Sequence, residues 1–175
     1  MSLPLPFAHF RARFWRMLAP RWSHQPLSGE GAAKHGGRFN ERDIPALYMS
    51  EDFTTAISEY EQELGIRPGT LCAYGVDMPC IVDLCDEAVR IELGISLETL
   101  HSPWKQVVLI DKKIPATWQL AARLREGGAN GIRVPSVQAV GNNLVLWNWA
   151  AAPGQHVIAI DPLGDLPRDQ ASWLK

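Results

Sequence analysis

The sequence contains little cysteine, and its histidines are scattered. Cys72, Cys80 and Cys85 are its three cysteines, and no two of them form a C-x-x-C pair. A disulfide scaffold and a cysteine-based zinc site are therefore not expected, and sparse free thiols fit a reducing compartment. The five histidines show no H-x-x-x-H or H-x-x-E-H spacing. We accordingly predict that the protein holds no metal ion.

The sequence also lacks a strong charge excess, a long apolar run and a signal peptide. Its net charge of −2 provides no basic stripe for a phosphate backbone, so direct binding of nucleic acid is not expected. No stretch approaches the roughly 20 apolar residues of a membrane-spanning helix, and no basic segment followed by an apolar one opens the chain. These absences predict a cytoplasmic protein without a membrane segment. Arginines are nevertheless concentrated before residue 43, which allows a local pocket for one small anion.

The sequence does contain enough apolar material for a globular domain. Hydrophobic residues make up 46% of the 175 residues, so we expect a single domain over residues 1–175. Helices are predicted from about residue 52 to 64, as short pieces within 86–110, and over 115–126. Strands are predicted at residues 13–17, 45–49, 70–76, 81–84, 131–134, 143–149 and 156–160. Since these elements follow no steady βαβ rhythm, the expected class is α+β, with central strands flanked by helices.

The first predicted helix carries a carboxylate at the edge of its apolar face. Ser50 or Asp52 is suited to cap its start, and Gly65 is suited to end it. At 100° per residue, Glu59 falls at the border of the buried stripe, where a side chain can reach the edge of a cleft. The stripe consists of Phe53, Ala56, Ile57, Tyr60 and Leu64.

A polar, glycine-rich passage covers residues 23–43 and is too long for a plain connection. Within it, Gly36-Gly37 precedes Arg38 and predicts a tight turn that directs the arginine side chain. Residues 28–34 lack the G-x-x-x-x-G-K-[ST] pattern, so a phosphate-binding loop is not indicated. No G-x-S-x-G elbow is present, and the sequence supports neither a serine nor a cysteine hydrolase.

Several short motifs occur in a fixed order along the chain. They are Phe14-Trp15-Arg16, the Pro26–Gly31 segment, Gly36-Gly37-Arg38-Phe39-Asn40, Ala46-Leu47-Tyr48, Ala56-Ile57-Ser58-Glu59, Val134-Pro135-Ser136 and Gly141-Asn142-Asn143-Leu144-Val145-Leu146. Taken together, they resemble the RES domain from about residue 13 to 161. That family is named for an arginine, a glutamate and a serine, which here match Arg38, Glu59 and Ser136.

The resemblance implies a fold similar to that of ADP-ribosyltransferase toxins and a place in a bacterial toxin–antitoxin pair. NAD⁺ is the implied substrate, consumed by cleavage of the ribose–nicotinamide bond through hydrolysis or phosphorolysis. Transfer of ADP-ribose to a protein at the same site is the alternative enzymatic outcome. The implied partner is an Xre-type helix-turn-helix antitoxin, which we expect to cover the active site. A homo-oligomer within that complex is compatible with the resemblance.

Residue by residue, the resemblance assigns Arg38, Glu59 and Ser136 as catalytic. It further assigns Arg16, Arg38, Tyr48 and Asn143 to the binding of NAD⁺. The chemistry agrees, because a guanidinium can grip pyrophosphate oxygens and a carboxylate can stabilise positive charge on the ribose. Tyr48 would stack on the cationic nicotinamide ring, and Ser136 would bond the ribose or the amide.

Each of these residues also has an ordinary structural interpretation. Glu59 can be a solvated helix carboxylate, Tyr48 a core residue, and Ser136 a turn residue. The alternative from another functional class is a chain without catalysis that only binds a helix-turn-helix repressor. Trp147 and Trp149 can be anchors for a partner or, on one face of a strand, part of the core.

Overall fold

The β-sheet is organised around its long third strand. The computed structural model describes residues 4–62 and 65–171. Its strands are β1 (Phe7–Leu18), β2 (Leu47–Ser50), β3 (Thr70–Asp83), β4 (Gly131–Pro135), β5 (Asn142–Leu146) and β6 (His156–Ala159). Its α-helices are α1 (Glu30–His35), α2 (Phe53–Glu61), α3 (Glu87–Leu93), α4 (Leu97–Leu100), α5 (Trp104–Leu109) and α6 (Ala116–Glu126). The predicted α+β class, with a central sheet and flanking helices, is confirmed.

The strands follow the order β1-β2-β5-β4-β3-β6, and β1 also pairs with β3. This extra pairing closes five of the strands into a circuit. All pairs are antiparallel except β3 with β4. Strand β5 lies between β2 and β4, so its first residues are held on both sides. That placement matters for the site, because Asn143 lies there.

Strand β3 replaces two predicted strands, at residues 70–76 and 81–84. The chain stays extended through Pro79 and Cys80, although Cys80 has a positive φ of 58°. This irregular point lies between the pairing of β3 with β6 and its pairing with β4. Strand β1 is also longer than predicted. A register shift between Ala8 and Phe10 interrupts the regular alternation of inward and outward side chains in the first half of β1. That half therefore lacks the alternating sequence pattern by which a strand is predicted.

Helix α2 begins as predicted but buries a different face at its start. The Asp52 carboxylate accepts from the amide of Thr55 at 2.8 Å, which is the expected N-cap bond. Thr55 is buried, whereas the side chain of Phe53 is 53% exposed, so its assignment to the buried stripe is wrong. The helix ends at Glu61, before the predicted end, and Leu64 lies outside the described residues.

Two apolar clusters form the core, on the two faces of the sheet. Along β5, Val145 belongs to one cluster, while Leu144 and Leu146 belong to the other, as strand alternation requires. The first cluster also includes residues of α6 and of the segments around α3 and α4.

The two late tryptophans do not share one strand face, because β5 ends at Leu146. Trp147 is buried in the first cluster and Trp149 packs against the second. Their indole N–H groups donate to the backbone carbonyls of Phe39 at 2.8 Å and Leu27 at 3.1 Å. The core interpretation therefore holds for Trp147, and its expected role as a partner anchor is wrong.

Candidate active site

The Glu59 carboxylate is held by two hydrogen bonds on one of its oxygens. Its Oε1 accepts from Ser136 Oγ at 2.7 Å and from Asn143 Nδ2 at 2.6 Å. Glu59 lies on α2, Ser136 in the turn after β4 and Asn143 on β5, so the bonds join α2 to a distant part of the sequence. Among the described residues, Oε2 has no hydrogen-bond partner. The carboxylate is thus fixed in position and retains one oxygen for a ligand.

Asn143 is itself oriented by a residue of the neighbouring strand. Its Oδ1 accepts from Ser50 Oγ at 2.7 Å, and Ser50 and Asn143 are direct partners in the antiparallel pairing of β2 and β5. Because a carboxylate only accepts, the amide must present its NH₂ group to Glu59 and its oxygen to Ser50. Sequence reasoning assigned Ser50 only as a helix cap. No motif in the sequence marks Ser50 for this second role, which depends on the pairing of β2 with β5.

Ser136 supports Glu59 from within a tight turn. Its hydroxyl oxygen accepts from the amides of Gln138 at 3.0 Å and Ala139 at 3.1 Å. Since those amides can only donate, the single hydroxyl proton is directed to Glu59. The Ser136 hydroxyl therefore positions the carboxylate, and its direct contact with the ribose or the amide stays a prediction.

Arg38 lies in a tight turn that depends on the two glycines before it. Gly36 has a φ of +73°, which favours glycine. Gly37 is pressed against Tyr48 and Asn40: a methyl group there would lie 2.5 Å from the Tyr48 hydroxyl oxygen and from Asn40 Oδ1. The amide of Gly37 donates to the carbonyl of Asn40 at 2.9 Å and closes the turn. The predicted turn at Gly36-Gly37 is confirmed.

Tyr48 stabilises the same turn through its hydroxyl group. It donates to Asn40 Oδ1 at 2.7 Å and accepts from the amide of Phe39 at 3.0 Å. Burial raises the pKa of Tyr48 well above its usual value, so the hydroxyl keeps its proton. The ring lines the cavity described below. Stacking of Tyr48 on a nicotinamide ring stays a prediction.

The Arg38 guanidinium is anchored to the segment between α4 and α5. Its Nη1 donates to the carbonyls of Ser102 at 2.7 Å and Leu100 at 3.3 Å. Burial lowers the pKa of Arg38, while the nearby Glu59 carboxylate and Tyr48 act in the opposite direction. No ion pair joins Arg38 to Glu59 in the described part of the chain. The two opposite charges therefore lie near each other but are separately anchored.

Arg16 approaches the same region from β1. Its Nη1 donates to the carbonyls of Ser28 at 3.2 Å and Pro26 at 3.3 Å. Burial lowers the pKa of Arg16, and the neighbouring Tyr74 counteracts this shift. An arginine keeps its charge under such conditions. Arg16 thus brings a second permanent cation to the wall of the cavity.

Two adjoining cavities meet at these residues. One has a volume of about 420 Å³ and the other about 760 Å³. Their shared lining is Arg16, Tyr48, Glu59, Gln62, Lys105 and Asn143. Arg38 lines only the larger cavity, and Ser136 lines neither, which agrees with its position behind Glu59. The larger cavity combines several basic side chains with one carboxylate, and it suits a ligand that carries both phosphates and a cationic centre.

Metal binding and membrane insertion can both be examined in the described residues. Within residues 4–62 and 65–171, no group of three or more histidine, cysteine or acidic side chains is arranged to hold a metal ion. Over the same residues, every helix is too short or too polar to cross a membrane.

Comparison with known proteins identifies a family and solved structures of similar fold. The family model of the RES domain matches residues 13–169. A solved structure, the crystal structure of the M. tuberculosis MbcT–MbcA toxin–antitoxin complex, is similar with a TM-score of 0.60 and 20% identity over 89% of this chain and 87% of that chain. No curated protein matches the sequence. Since the family match spans nearly the whole chain, this protein belongs to the RES domain family.

Proposed function

We propose that this protein is the toxin of a toxin–antitoxin pair and that it consumes NAD⁺ by cleaving the bond between ribose and nicotinamide. The observation that carries the proposal is the fixed Glu59 carboxylate, held at Oε1 by Ser136 and Asn143, beside the separately anchored Arg38. Membership in the RES domain family and a fold similar to that of a toxin–antitoxin structure support the same conclusion.

The proposed reaction uses the charge of the substrate itself. The C1′–N bond of the nicotinamide riboside breaks, and its electron pair moves to the ring nitrogen, which releases neutral nicotinamide. The ribose is left with oxocarbenium-like positive charge. Glu59 stabilises that charge through its free oxygen, as carboxylates do in glycoside cleavage. Water then adds to the anomeric carbon and loses a proton, or phosphate adds to give the 1-phosphate ester.

The arginines would hold the other half of the substrate. The pyrophosphate of NAD⁺ is dianionic, and a planar guanidinium donates paired, charge-assisted hydrogen bonds to such oxygens. Arg38 lies beside Glu59 and has donors other than Nη1, while Arg16 lines both cavities. A pyrophosphate fixed there would place the nicotinamide ribose within reach of Glu59.

The decisive measurement is the release of free nicotinamide from NAD⁺ by the purified chain. Glu59→Gln keeps the size of the side chain and removes its charge, and we expect a loss of about 10²–10³ in rate. Glu98→Gln, on the short helix α4, is a matched control on an exposed carboxylate and should retain full activity. Equal rates in wild type and Glu59→Gln, with both proteins folded, would contradict the proposal.

The acceptor of the ADP-ribose is determined in the same experiment. Soluble ADP-ribose indicates hydrolysis, and a phosphate-dependent product indicates phosphorolysis. Label from adenine-labelled NAD⁺ that appears on a protein would instead indicate an ADP-ribosyltransferase. If no nicotinamide is released under any of these conditions, the remaining interpretation is a non-catalytic module that binds a repressor.

We further propose that an Xre-type antitoxin covers the cleft between Arg38 and Glu59, since a cytoplasmic enzyme that drains NAD⁺ would otherwise kill its host. The antitoxin and NAD⁺ would then compete for one space. Nicotinamide release should be absent in the purified complex and appear after the partner is removed by proteolysis. Equal rates before and after proteolysis would mean that the partner binds elsewhere.

A further inference from the structure

The larger cavity has a further wall that the proposed chemistry does not use. This wall is formed by the segment that includes helix α5, and its lining residues are Pro103, Trp104, Lys105, Gln106, Val108 and Leu109. Val137 contributes a further apolar side chain to the same cavity. The wall therefore presents mainly apolar surface and one large aromatic ring, in a cavity otherwise marked by arginines.

Trp104 is tied to the Arg38 turn from two sides. Its amide donates at 2.8 Å to the carbonyl of Ser102, which also accepts from Arg38 Nη1 at 2.7 Å. Its ring centre lies 6.4 Å from that of Trp118, at an interplanar angle of 38°. Trp118 in turn donates from its indole nitrogen to the carbonyl of Gly37 at 2.7 Å. Trp104 is thus held in a fixed relation to the arginine proposed to bind the pyrophosphate.

The phenylalanine and tyrosine side chains of the larger cavity already have other contacts. Phe39 is only 2% exposed, and its ring belongs to the core. Tyr48 lies beside Glu59, and its hydroxyl is bonded within the Arg38 turn. Trp104 is only half-buried, and it lines the cavity. Among the Phe, Tyr and Trp side chains that line this cavity, Trp104 is the one available to a second ring of the ligand.

We propose that Trp104 is the platform on which the adenine ring of NAD⁺ stacks, an inference that rests on the proposed function and extends it. NAD⁺ carries two ring systems joined by a pyrophosphate. In this proposal Glu59 binds the nicotinamide ribose and Arg38 binds the pyrophosphate. The adenosine half of the ligand would then extend toward Ser102, whose carbonyl accepts from Arg38, and Trp104 lies two residues after Ser102. An indole ring stacks on a purine without needing hydrogen bonds to its edge. The enzyme would thereby prefer a dinucleotide to a mononucleotide.

The first test compares NAD⁺ with nicotinamide mononucleotide, which has the same scissile bond but no adenine. Loss of one stacked base contact typically weakens binding about 5- to 140-fold. We expect Trp104→Ala to raise KM for NAD⁺ by a factor in this range with little change in kcat, and Trp104→Phe to restore most of the loss. With nicotinamide mononucleotide, Trp104→Ala and wild type should agree within about twofold in kcat/KM.

A matched control is Trp22→Ala. Trp22 is 51% exposed, stacks with His24, and lines neither cavity. It should leave both substrates unaffected. If Trp104→Ala lowers kcat/KM for NAD⁺ and for the mononucleotide by the same factor, the ring has a structural role and the stacking proposal is overturned. It is also overturned if Trp104→Ala weakens only the binding of a protein partner.

A second test does not depend on catalysis. Adenosine monophosphate and ADP-ribose, titrated separately, should quench tryptophan fluorescence in wild type and in Trp22→Ala but not in Trp104→Ala. Ribose 5-phosphate, which lacks the base, should cause no quenching. If wild type releases no nicotinamide yet shows this adenine-dependent quenching, the proposed reaction fails while the adenine site stands. Cleavage of NAD⁺ without any quenching that depends on Trp104 would leave the reaction and remove the adenine site.

Discussion

Replacing Gly37 by alanine tests whether the close packing of the Arg38 turn is needed for activity. The added methyl group would lie 2.5 Å from the Tyr48 hydroxyl oxygen and from Asn40 Oδ1, and 2.9 Å from the Tyr48 ring carbon that bears the hydroxyl. Both oxygens take part in the bonds that stabilise the turn. Either both oxygens must move by about 1 Å to reach ordinary contact distance, or the backbone of the turn must shift.

The cost has two parts. Overpacking in a well-packed region typically costs about 1–3 kcal/mol, and a buried polar group left without its partner about 1–3 kcal/mol more. Asn40 is fully buried, so water cannot replace a lost bond. A total of roughly 2–6 kcal/mol lowers Tm by about 4–24 °C in a chain of this size, at about 2–4 °C per kcal/mol. Displacement of Arg38 by about 1 Å reduces turnover on the order of 100-fold.

The assay is thermal unfolding together with nicotinamide release, measured at a temperature at which the variant is folded. Gly31→Ala is the matched control, because a methyl group on that helical glycine meets no atom within 4 Å. Its Tm should equal or exceed that of wild type. A Gly37→Ala protein with wild-type Tm would refute the packing argument. Reduced Tm with undiminished turnover would show that the turn contributes to stability but does not position a catalytic arginine.

Three other predictions follow from the hydrogen bonds. Asn143→Ala and Ser136→Ala each remove a hydrogen-bond donor to the Glu59 carboxylate, and such a bond contributes about 1.5–3 kcal/mol. Each variant should therefore lower kcat by roughly 10- to 150-fold. Asn148→Ala, at an exposed asparagine, should leave kcat unchanged. Trp147→Phe removes the bond to the Phe39 carbonyl and should lower Tm by several degrees, as thermal unfolding would show. Burial alone would raise the pKa of Glu51, but hydrogen bonds from Arg133 and Asn142 lower it overall from its usual 4.5. The stability that Glu51 contributes is therefore present above pH 4.5 and lost as the pH falls through the lower folded-state value, so the Tm difference between wild type and Glu51→Gln should shrink below pH 4.5.

The structure also changes the expected size of the Ser136 effect. From the sequence alone, Ser136→Ala is predicted to be mild, because a neutral hydrogen bond contributes only about 0.5–1.5 kcal/mol. In the structure the hydroxyl donates to a carboxylate and also accepts from the amides of Gln138 and Ala139. A larger loss than the sequence predicts is therefore expected. Similar kcat values for Ser136→Ala and wild type would favour the turn-residue interpretation.

Local chemistry accounts for the parts of the fold that the sequence predicted well. The Asp52 cap, the Gly36-Gly37 turn and the start of α6 after Pro115 each depend on a few neighbouring residues. The parts that were missed depend on distant partners. The continuity of β3 through Pro79 and Cys80 depends on β1, β4 and β6, and the exposure of Phe53 depends on which neighbours α2 meets.

The same distinction applies to the candidate site. Motif resemblance identified Arg38, Glu59, Ser136 and Asn143, but it contained no information on how they contact one another. Ser50 lacked any motif signal, because its role depends on a cross-strand register between β2 and β5. The carbonyls of Leu100 and Ser102 that hold Arg38 are backbone groups, and no side-chain pattern can reveal them.

These separate anchors explain how an arginine and a glutamate can work side by side. If Arg38 bonded Glu59 directly, the pair would neutralise each other and fill the space that a substrate needs. Instead, backbone carbonyls hold Arg38, and the neutral donors of Ser136 and Asn143 hold Glu59. Each side chain keeps unused hydrogen-bonding atoms. The proposed substrate, which is anionic at its phosphates and becomes cationic at its ribose during cleavage, would have at this site a fixed partner for each charge, already oriented before the bond begins to break.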